Sequence, residues 1–183
     1  MDEPRESLSL PDAEAGRDTL SPSFEKQTVD EPVFTAVLGD VLEALERDDL
    51  PFLVIGGVAC ILHGYTRATD DVDILIERTE GNAGRVLAAL ARVGYGFARE
   101  WTAAEILKRP ITVIGDDPAV DVFTVAWKVK YEQAAPRADT VDVDGVTVPL
   151  ISLDDLIATK HTGRLQDAAD IEVLEEIKRL RGT

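Results

Sequence analysis

Several residue types that would point to other classes of protein are scarce in this sequence of 183 residues. The only cysteine, Cys60, excludes an internal disulfide and a cysteine-based zinc site. No apolar run approaches the ~20 residues that a membrane-spanning helix needs. The first residues, Met1 to Pro4, lack the basic-then-apolar layout of a signal peptide. These absences predict a cytoplasmic protein with no membrane segment.

Positively charged residues are also scarce. The sequence has 19 Lys and Arg residues and 35 Asp and Glu residues, which gives a net charge of -16. Such an acidic surface repels phosphate backbones, which disfavours non-specific nucleic-acid binding. Residues 1–31 hold nine acidic and three basic side chains and few large apolar ones. Since this stretch cannot bury enough apolar surface to offset its ordering entropy, we predict a disordered acidic tail over 1–31 and a single domain over 32–183.

The remaining pattern mixes helical and strand periods. Apolar residues recur at helical spacing from Pro32, and a wholly apolar run at 52–55 predicts a buried strand that ends at Gly56-Gly57. Further helices are predicted at 58–63, 82–93, from Ser152 and at 166–181, and further strands at 72–76, 95–99, 111–115, 119–125, 140–143 and 146–150. The expected fold class is α/β (or α+β), with helices flanking a twisted mixed sheet.

Two aspartates on one predicted strand are the strongest chemical signal. Asp71 and Asp73 are two residues apart, so their side chains share one face of the strand. Neighbouring carboxylates repel each other unless a cation lies between them, and oxygen ligands of this kind suit Mg²⁺. The Gly56-Gly57 turn lets the backbone come close to a ligand, and the helix after it offers N–H groups to phosphate.

The same stretch resembles the signature of the polymerase-beta-type nucleotidyltransferase superfamily. That signature has two glycines at a strand–helix turn and then Asp-x-Asp on the next strand. The particular form found here is most similar to AbiEii-like toxin nucleotidyltransferases and small antibiotic nucleotidyltransferases. The matching residues are Gly56, Gly57, Ala59, Gly64, Arg67, Thr69, Asp71 and Asp73. The resemblance implies the nucleotidyltransferase fold, with C-terminal helices after the sheet.

The resemblance also implies roles for residues later in the chain. A third metal-binding carboxylate comes from a later strand in this superfamily, and Asp121 matches it. Lys160 would neutralise a triphosphate, and Asp167 or Asp170 would line the site. Pairing with Arg164 explains these two aspartates equally well, and Lys160 could equally be a surface lysine.

The function implied is a Mg²⁺-dependent transfer of a nucleoside monophosphate from an NTP to an acceptor hydroxyl. Asp71, Asp73 and Asp121 would bind the metal, and Gly56, Gly57, Arg67, Thr69, Lys160 and Asp167 would contact the nucleotide. The acceptor could be a tRNA end, a protein or a small molecule, and a toxin-like enzyme would have a cognate antitoxin as partner. The alternative is a catalytically inactive module that binds a nucleotide or a partner protein. This alternative is favoured by Val58, which stands where many members have Ser.

Overall fold

The structure is a computed structural model that describes residues 32–115, 118–143 and 145–182, with side chains from residue 39 onward. The predicted disordered tail, residues 1–31, lies outside the described residues. The same is true of Asp144 in the predicted hairpin turn.

One mixed sheet of six strands forms the centre of the fold. The strands are β1 Phe52–Val54, β2 Asp71–Ile76, β3 Ile111–Ile114, β4 Ala119–Phe123, β5 Asp139–Val143 and β6 Val146–Leu150. Their order in the sheet is β3-β4-β2-β1-β6-β5. The central pairs are β1 with β2 (antiparallel) and β2 with β4 (parallel), while β1 also runs parallel to β6. Two antiparallel pairs, β3–β4 and β5–β6, form the two edges.

Helices cover the sheet because each presents an apolar stripe to it. In the first helix, Val41, Leu42 and Leu45 are fully buried at helical spacing. Ser152 caps the sixth helix, since its hydroxyl accepts the backbone N–H of Asp155 at 3.2 Å. The helices are α1 Pro32–Arg47, α2 Gly56–Leu62, α3 Glu80–Arg92, α4 Ala103–Ile106, α5 Tyr131–Ala134, α6 Leu153–Thr159 and α7 Leu165–Arg181. The predicted fold class and the mixed sheet flanked by helices are confirmed.

The strand predicted at 95–99 is wrong, because Gly96–Glu100 forms a 3₁₀ helix. Tyr95 and Ala98 are both buried, and this spacing of three residues fits a 3₁₀ turn and not a strand. The backbone N–H of Ala98 donates to the carbonyl of Tyr95 at 3.1 Å. The short helices α4 and α5 were not predicted, since four residues are too few for a helical period to be visible.

Candidate active site

The three predicted carboxylates meet on one face of the sheet. Asp71 and Asp73 lie on β2, and the parallel strand β4 places Asp121 directly beside Asp73 in the register. Each of the three offers a carboxylate oxygen, and these oxygens lie within 4.8 Å of one another. The alternate residues Val72 and Ile74 are fully buried on the opposite face. The alternation of side chains along β2 therefore separates a face that packs in the core from a face that carries the carboxylates. Among the described residues, Asp71, Asp73 and Asp121 are the one group of potential ligands close enough together to hold a metal ion.

The electrostatics of this acidic triad (Asp71, Asp73 and Asp121) favour a cation. Burial, followed by the charges of Asp71 and Asp121, raises the pKa of Asp73 to about 7, although the Gly57 amide and Lys160 act in the opposite direction. Burial and the charge of Asp71 also raise the pKa of Asp121. Carboxylates this close are costly to ionise together unless a positive charge lies between them. An oxygen-only set of three carboxylates fits a hard divalent cation such as Mg²⁺.

Both glycines of the turn lie against the triad. The first residue of α2, Gly56, has a φ of +62°, and a Cβ there would lie 1.7 Å from Oδ2 of Asp73. The backbone N–H of Gly57 donates to the same oxygen at 3.3 Å, and a Cβ at Gly57 would lie 2.2 Å from Oγ1 of Thr69. Only glycine fits at either position without displacing a site residue. Helix α2 begins at Gly56, two residues before the predicted start, so the glycines form part of the helix as well as of the turn.

Thr69 and Arg67 connect the loop before β2 to the site. The hydroxyl of Thr69 donates to Oδ1 of Asp71 at 3.0 Å, which orients that carboxylate. Arg67 Nη1 donates to Oδ2 of Asp170 on α7 at 2.8 Å. The predicted nucleotide contacts of both residues stay predictions, but both line the cleft above the triad.

A second charged group lines the same cleft as the triad. It is formed by the end of α6, the start of α7 and Arg67 from the loop before β2. Lys160 is only 8 % exposed, and its Nζ lies 2.8 Å from Oδ2 of Asp170 and 3.6 Å from Oδ1 of Asp167. Arg164 Nε donates to Oδ2 of Asp167 at 2.6 Å, and Thr162 donates to the same oxygen. We call Arg67, Lys160, Arg164, Asp167 and Asp170 the ion-pair cluster.

The ion-pair cluster answers a question that the sequence left open. Lys160 is buried in the cleft, which excludes the surface-lysine alternative. Both Asp167 and Asp170 line the cleft, and both are also paired with cations. Burial by itself would raise the pKa of Asp167, but hydrogen bonds from Arg164 and Thr162 and the charge of Lys160 hold it below its usual value.

The triad and the ion-pair cluster enclose a cleft of about 190 Å³. Three of its lining residues were not predicted as site residues, namely Ile111, Phe123 and Gln166. The register of the β3–β4 pair could have revealed the first two, since Ile111 lies opposite Phe123, two residues beyond Asp121. No sequence signal pointed to Gln166.

His63 is buried and does not line the cleft. Its Nε2 lies 2.8 Å from the carbonyl oxygen of Ile151, and Arg181 donates to the His63 carbonyl at 2.8 Å. Burial lowers the pKa of His63, which keeps the ring neutral. These contacts fix α2 against the end of α7. Within the described part of the chain, no helix combines the length and apolar character needed to cross a bilayer.

This arrangement defines the class of protein: a glycine-started helix beside three carboxylates on neighbouring strands is the site of a nucleotidyltransferase fold. The family model for aminoglycoside-2''-adenylyltransferase matches residues 37–174, which is 138 of the 183 residues. The chain therefore belongs to this family of nucleotidyltransferases. No curated protein matches the sequence.

Solved structures support the fold. An antigenic nucleotidyltransferase-like protein from Paracoccidioides brasiliensis has a TM-score of 0.54 and 16% identity, over 80% of this chain and 75% of that one. ANT(2'')-Ia in complex with adenylyl-2''-tobramycin has a TM-score of 0.50 and 17% identity, over 81% and 95%. The lincosamide antibiotic adenylyltransferase LnuA, bound to lincomycin, has a TM-score of 0.50 and 15% identity, over 78% and 96%. The predicted nucleotidyltransferase superfamily is confirmed, whereas the AbiEii-like toxin branch stays a prediction.

Proposed function

We propose that this nucleotidyltransferase moves a nucleoside monophosphate from a Mg²⁺-bound NTP to a hydroxyl of a small molecule. The observation that carries this proposal is the convergence of Asp71, Asp73 and Asp121 within 4.8 Å beside a helix that begins with two glycines. The family name supports ATP as the nucleotide. The adenylyl-tobramycin and lincomycin named for two structural neighbours support a small-molecule acceptor over tRNA or protein.

The triad would hold the divalent ion, because it supplies three hard oxygen ligands whose mutual repulsion an ion would relieve. Bound there, the ion would supply charge that offsets the phosphate oxygens of the nucleotide. The Thr69 hydroxyl and the Gly57 amide already orient two of the three carboxylates. The protein therefore contributes a preformed ligand set, and little rearrangement is needed when the ion binds.

The phosphates of the nucleotide would lie over Gly57, between the triad and the ion-pair cluster. Lys160, Arg67 and Arg164 face this space and carry three positive charges, against two negative charges on Asp167 and Asp170. The cluster thus has a net charge of +1. This excess suits the pyrophosphate that leaves, and Asp170 holds Lys160 and Arg67 in fixed positions before the substrate binds.

The transfer itself forms one bond and breaks one. The acceptor oxygen bonds to the α-phosphorus, and the bond from that phosphorus to the oxygen bridging to the β-phosphate breaks. Pyrophosphate leaves with the electron pair of the broken bond. The hydroxyl proton passes to a carboxylate oxygen of Asp121, the role that the family resemblance implies for the third carboxylate.

Other predictions from the sequence also stay predictions. A tRNA end or a protein hydroxyl as acceptor, and a cognate antitoxin as partner, have no observation in the structure that favours them. The inactive-module alternative rests on Val58, whose side chain is buried in the core. The cytoplasmic location is likewise an expectation from the sequence.

A direct assay tests the proposal. The purified chain is mixed with labelled ATP, GTP, CTP or UTP, with Mg²⁺, and with a small-molecule fraction of cell extract. We expect a labelled product and pyrophosphate with at least one nucleotide, and neither when Mg²⁺ is removed with EDTA.

The matched variants are Asp73→Asn in the triad and Asp70→Asn, an exposed neighbour outside it. Only the first should lose the product. If no product forms with any nucleotide, or if both variants behave alike, the proposed transfer is contradicted. Tight NTP binding without pyrophosphate release would instead support the inactive module.

A further inference from the structure

The register of the sheet places an apolar strip directly beside the third carboxylate. Val113 on β3 lies opposite Asp121 on β4, which in turn lies beside Asp73 on β2. One row across the sheet therefore runs from Val113 through Asp121 to Asp73, and Gly57 contacts Asp73 beyond the end of that row. If the phosphates lie over Gly57, the opposite side of Asp121 is where an acceptor can approach the α-phosphate.

That side is apolar and open. Val113 is 51 % exposed on an edge strand, although valine is a residue that usually packs. In the next row, Ile111 lies opposite Phe123, and both are half-buried and line the cleft. Opposite residues on one sheet face are close enough to make a continuous surface. We call Ile111, Val113 and Phe123 the acceptor shelf.

The charges around the cleft argue against a polycationic acceptor. Five aspartates line it among the described residues, a set that does not include Asp116 and Asp117. Three form the triad and are committed to the metal. The other two, Asp167 and Asp170, are each 2 % exposed and already paired with Lys160, Arg164 or Arg67. No unpaired carboxylate in this set is therefore left to bind amino groups of an acceptor.

From these observations we infer that the acceptor is a hydroxyl compound with an apolar face and few positive charges, and that Val113 helps to select it. This inference rests on the proposed nucleotidyl transfer and names its acceptor class. The apolar face would lie on the acceptor shelf and direct a hydroxyl to Asp121. The hydroxyl oxygen then bonds to the α-phosphorus, pyrophosphate leaves, and the proton passes to Asp121, as in the general reaction.

The test compares acceptors that differ in charge. The whole chain, with Mg²⁺ and the nucleotide that it binds, is assayed with chloramphenicol, which is neutral with an aromatic face. Lincomycin, with a single amine and an alkyl chain, and tobramycin, with several amino groups, complete the set. We expect kcat/KM for at least one of the first two to exceed that for tobramycin by about tenfold or more.

Two substitutions, one on the acceptor shelf and one on the opposite edge of the sheet, separate acceptor selection from folding. Val113→Thr keeps the β-branched shape but removes the apolar contact, and should raise KM for the low-charge acceptor about three- to tenfold with little change in kcat. Val141→Thr, the same substitution on the opposite edge strand β5 and outside the cleft, is the matched control and should leave KM within about twofold. Neither change should alter the affinity for the Mg²⁺-bound nucleotide measured by calorimetry, because Val113 lies on the far side of Asp121 from Gly57.

Three results would overturn the inference. Tobramycin could prove the better acceptor, Val113→Thr could leave KM unchanged, or the nucleotide-loaded enzyme could fail to bind or label either low-charge compound. In each case, if the Mg²⁺-bound nucleotide still binds, only the acceptor class is rejected and the proposed nucleotidyl transfer is not. Failure of nucleotide binding itself would reject the proposed function first.

Discussion

The cleft contains two sets of aspartates, those of the triad and those of the ion-pair cluster, and the pKa values of Asp73 in the first and Asp167 in the second are shifted in opposite directions. In the triad, burial and the charges of Asp71 and Asp121 raise the pKa of Asp73 to about 7. In the ion-pair cluster, Asp167 receives hydrogen bonds from Arg164 and Thr162, and its pKa is lowered. The difference indicates function: the first group lacks positive charge and is suited to take up a cation, whereas the second already has its own.

Placement in the fold explains the difference. The triad lies on adjacent parallel strands, where the register fixes side chains next to one another whatever their charge. The cluster lies where the end of α6 meets the start of α7, so a lysine and two arginines can reach the aspartates of one helical turn. Substitutions in the two groups should therefore have opposite consequences for activity and for stability.

The largest effect is expected in the triad. Asp73→Asn should lower kcat/KM at least about 10³-fold, because the metal loses a ligand and the nucleotide loses its counter-charge. The free energy of unfolding without metal should stay the same or rise, since a source of repulsion is removed. Steady-state kinetics and urea denaturation measure the two quantities. A large loss of stability with retained activity would contradict the assignment.

A glycine substitution tests the close approach between α2 and the triad. Gly56→Ala should lower kcat/KM about 10²-fold, because its Cβ would displace the Asp73 carboxylate. Gly64→Ala is the matched control, since Gly64 also has a positive φ, of +94°, but has open space around it. This control should cost about 1 kcal/mol of stability and no activity per folded molecule. Equal activity losses in the two variants would show that backbone strain, and not the site contact, is responsible.

In the ion-pair cluster, stability should change most. Asp170→Ala leaves Lys160 and Arg67 without their shared partner in a buried setting and should cost about 3 kcal/mol of unfolding free energy. Asp154→Ala breaks an ion pair with Lys178 at the surface, where solvent screens the charges, and should change the free energy of unfolding much less. Chemical denaturation distinguishes them. Similar costs for the buried and exposed pairs would remove the distinction drawn between them.

The smallest effect is a pH dependence without metal. The raised pKa of Asp73 means that the folded protein binds this proton more tightly than the unfolded chain does. The stabilisation is present below about pH 4, the pKa of an aspartate in the unfolded chain, and is lost as the pH rises through about 7. Asp73→Asn should reduce that loss, and saturating Mg²⁺ should offset it. Thermal denaturation from pH 5 to 8 measures the difference between the proteins. Identical profiles would contradict the raised pKa.

The sequence was most informative where local rules decide the structure. The spacing of Asp71 and Asp73 places them on one strand face wherever that strand lies, and the glycine turn before them has few alternative explanations. The helices that bury a stripe of large apolar side chains were predicted for the same reason. The strand prediction for 95–99 failed because the two buried residues of this segment fit a 3₁₀ turn. A partly apolar segment of five residues does not distinguish a strand from a 3₁₀ helix.

What the residues by themselves could not provide was pairing between distant segments. Asp121 was identified as a site residue only through the family resemblance, because no local sequence pattern reveals that β4 pairs with β2 in parallel. The hydrogen bond from Arg67 to Asp170 joins positions 103 residues apart, and no local pattern predicts it. The acceptor shelf was missed for the same reason, since Val113 matters only through its place opposite Asp121.

The central claim is that the triad is a metal site that brings a nucleotide to Asp121. It is tested most directly by a crystal structure of the chain with Mn²⁺ and a non-hydrolysable NTP, in which anomalous scattering locates the metal. We predict Mn²⁺ coordinated by Asp71, Asp73 and Asp121, with the phosphates between Gly57 and Lys160. Manganese bound elsewhere, or a nucleotide bound without contact to these three carboxylates, would contradict the account.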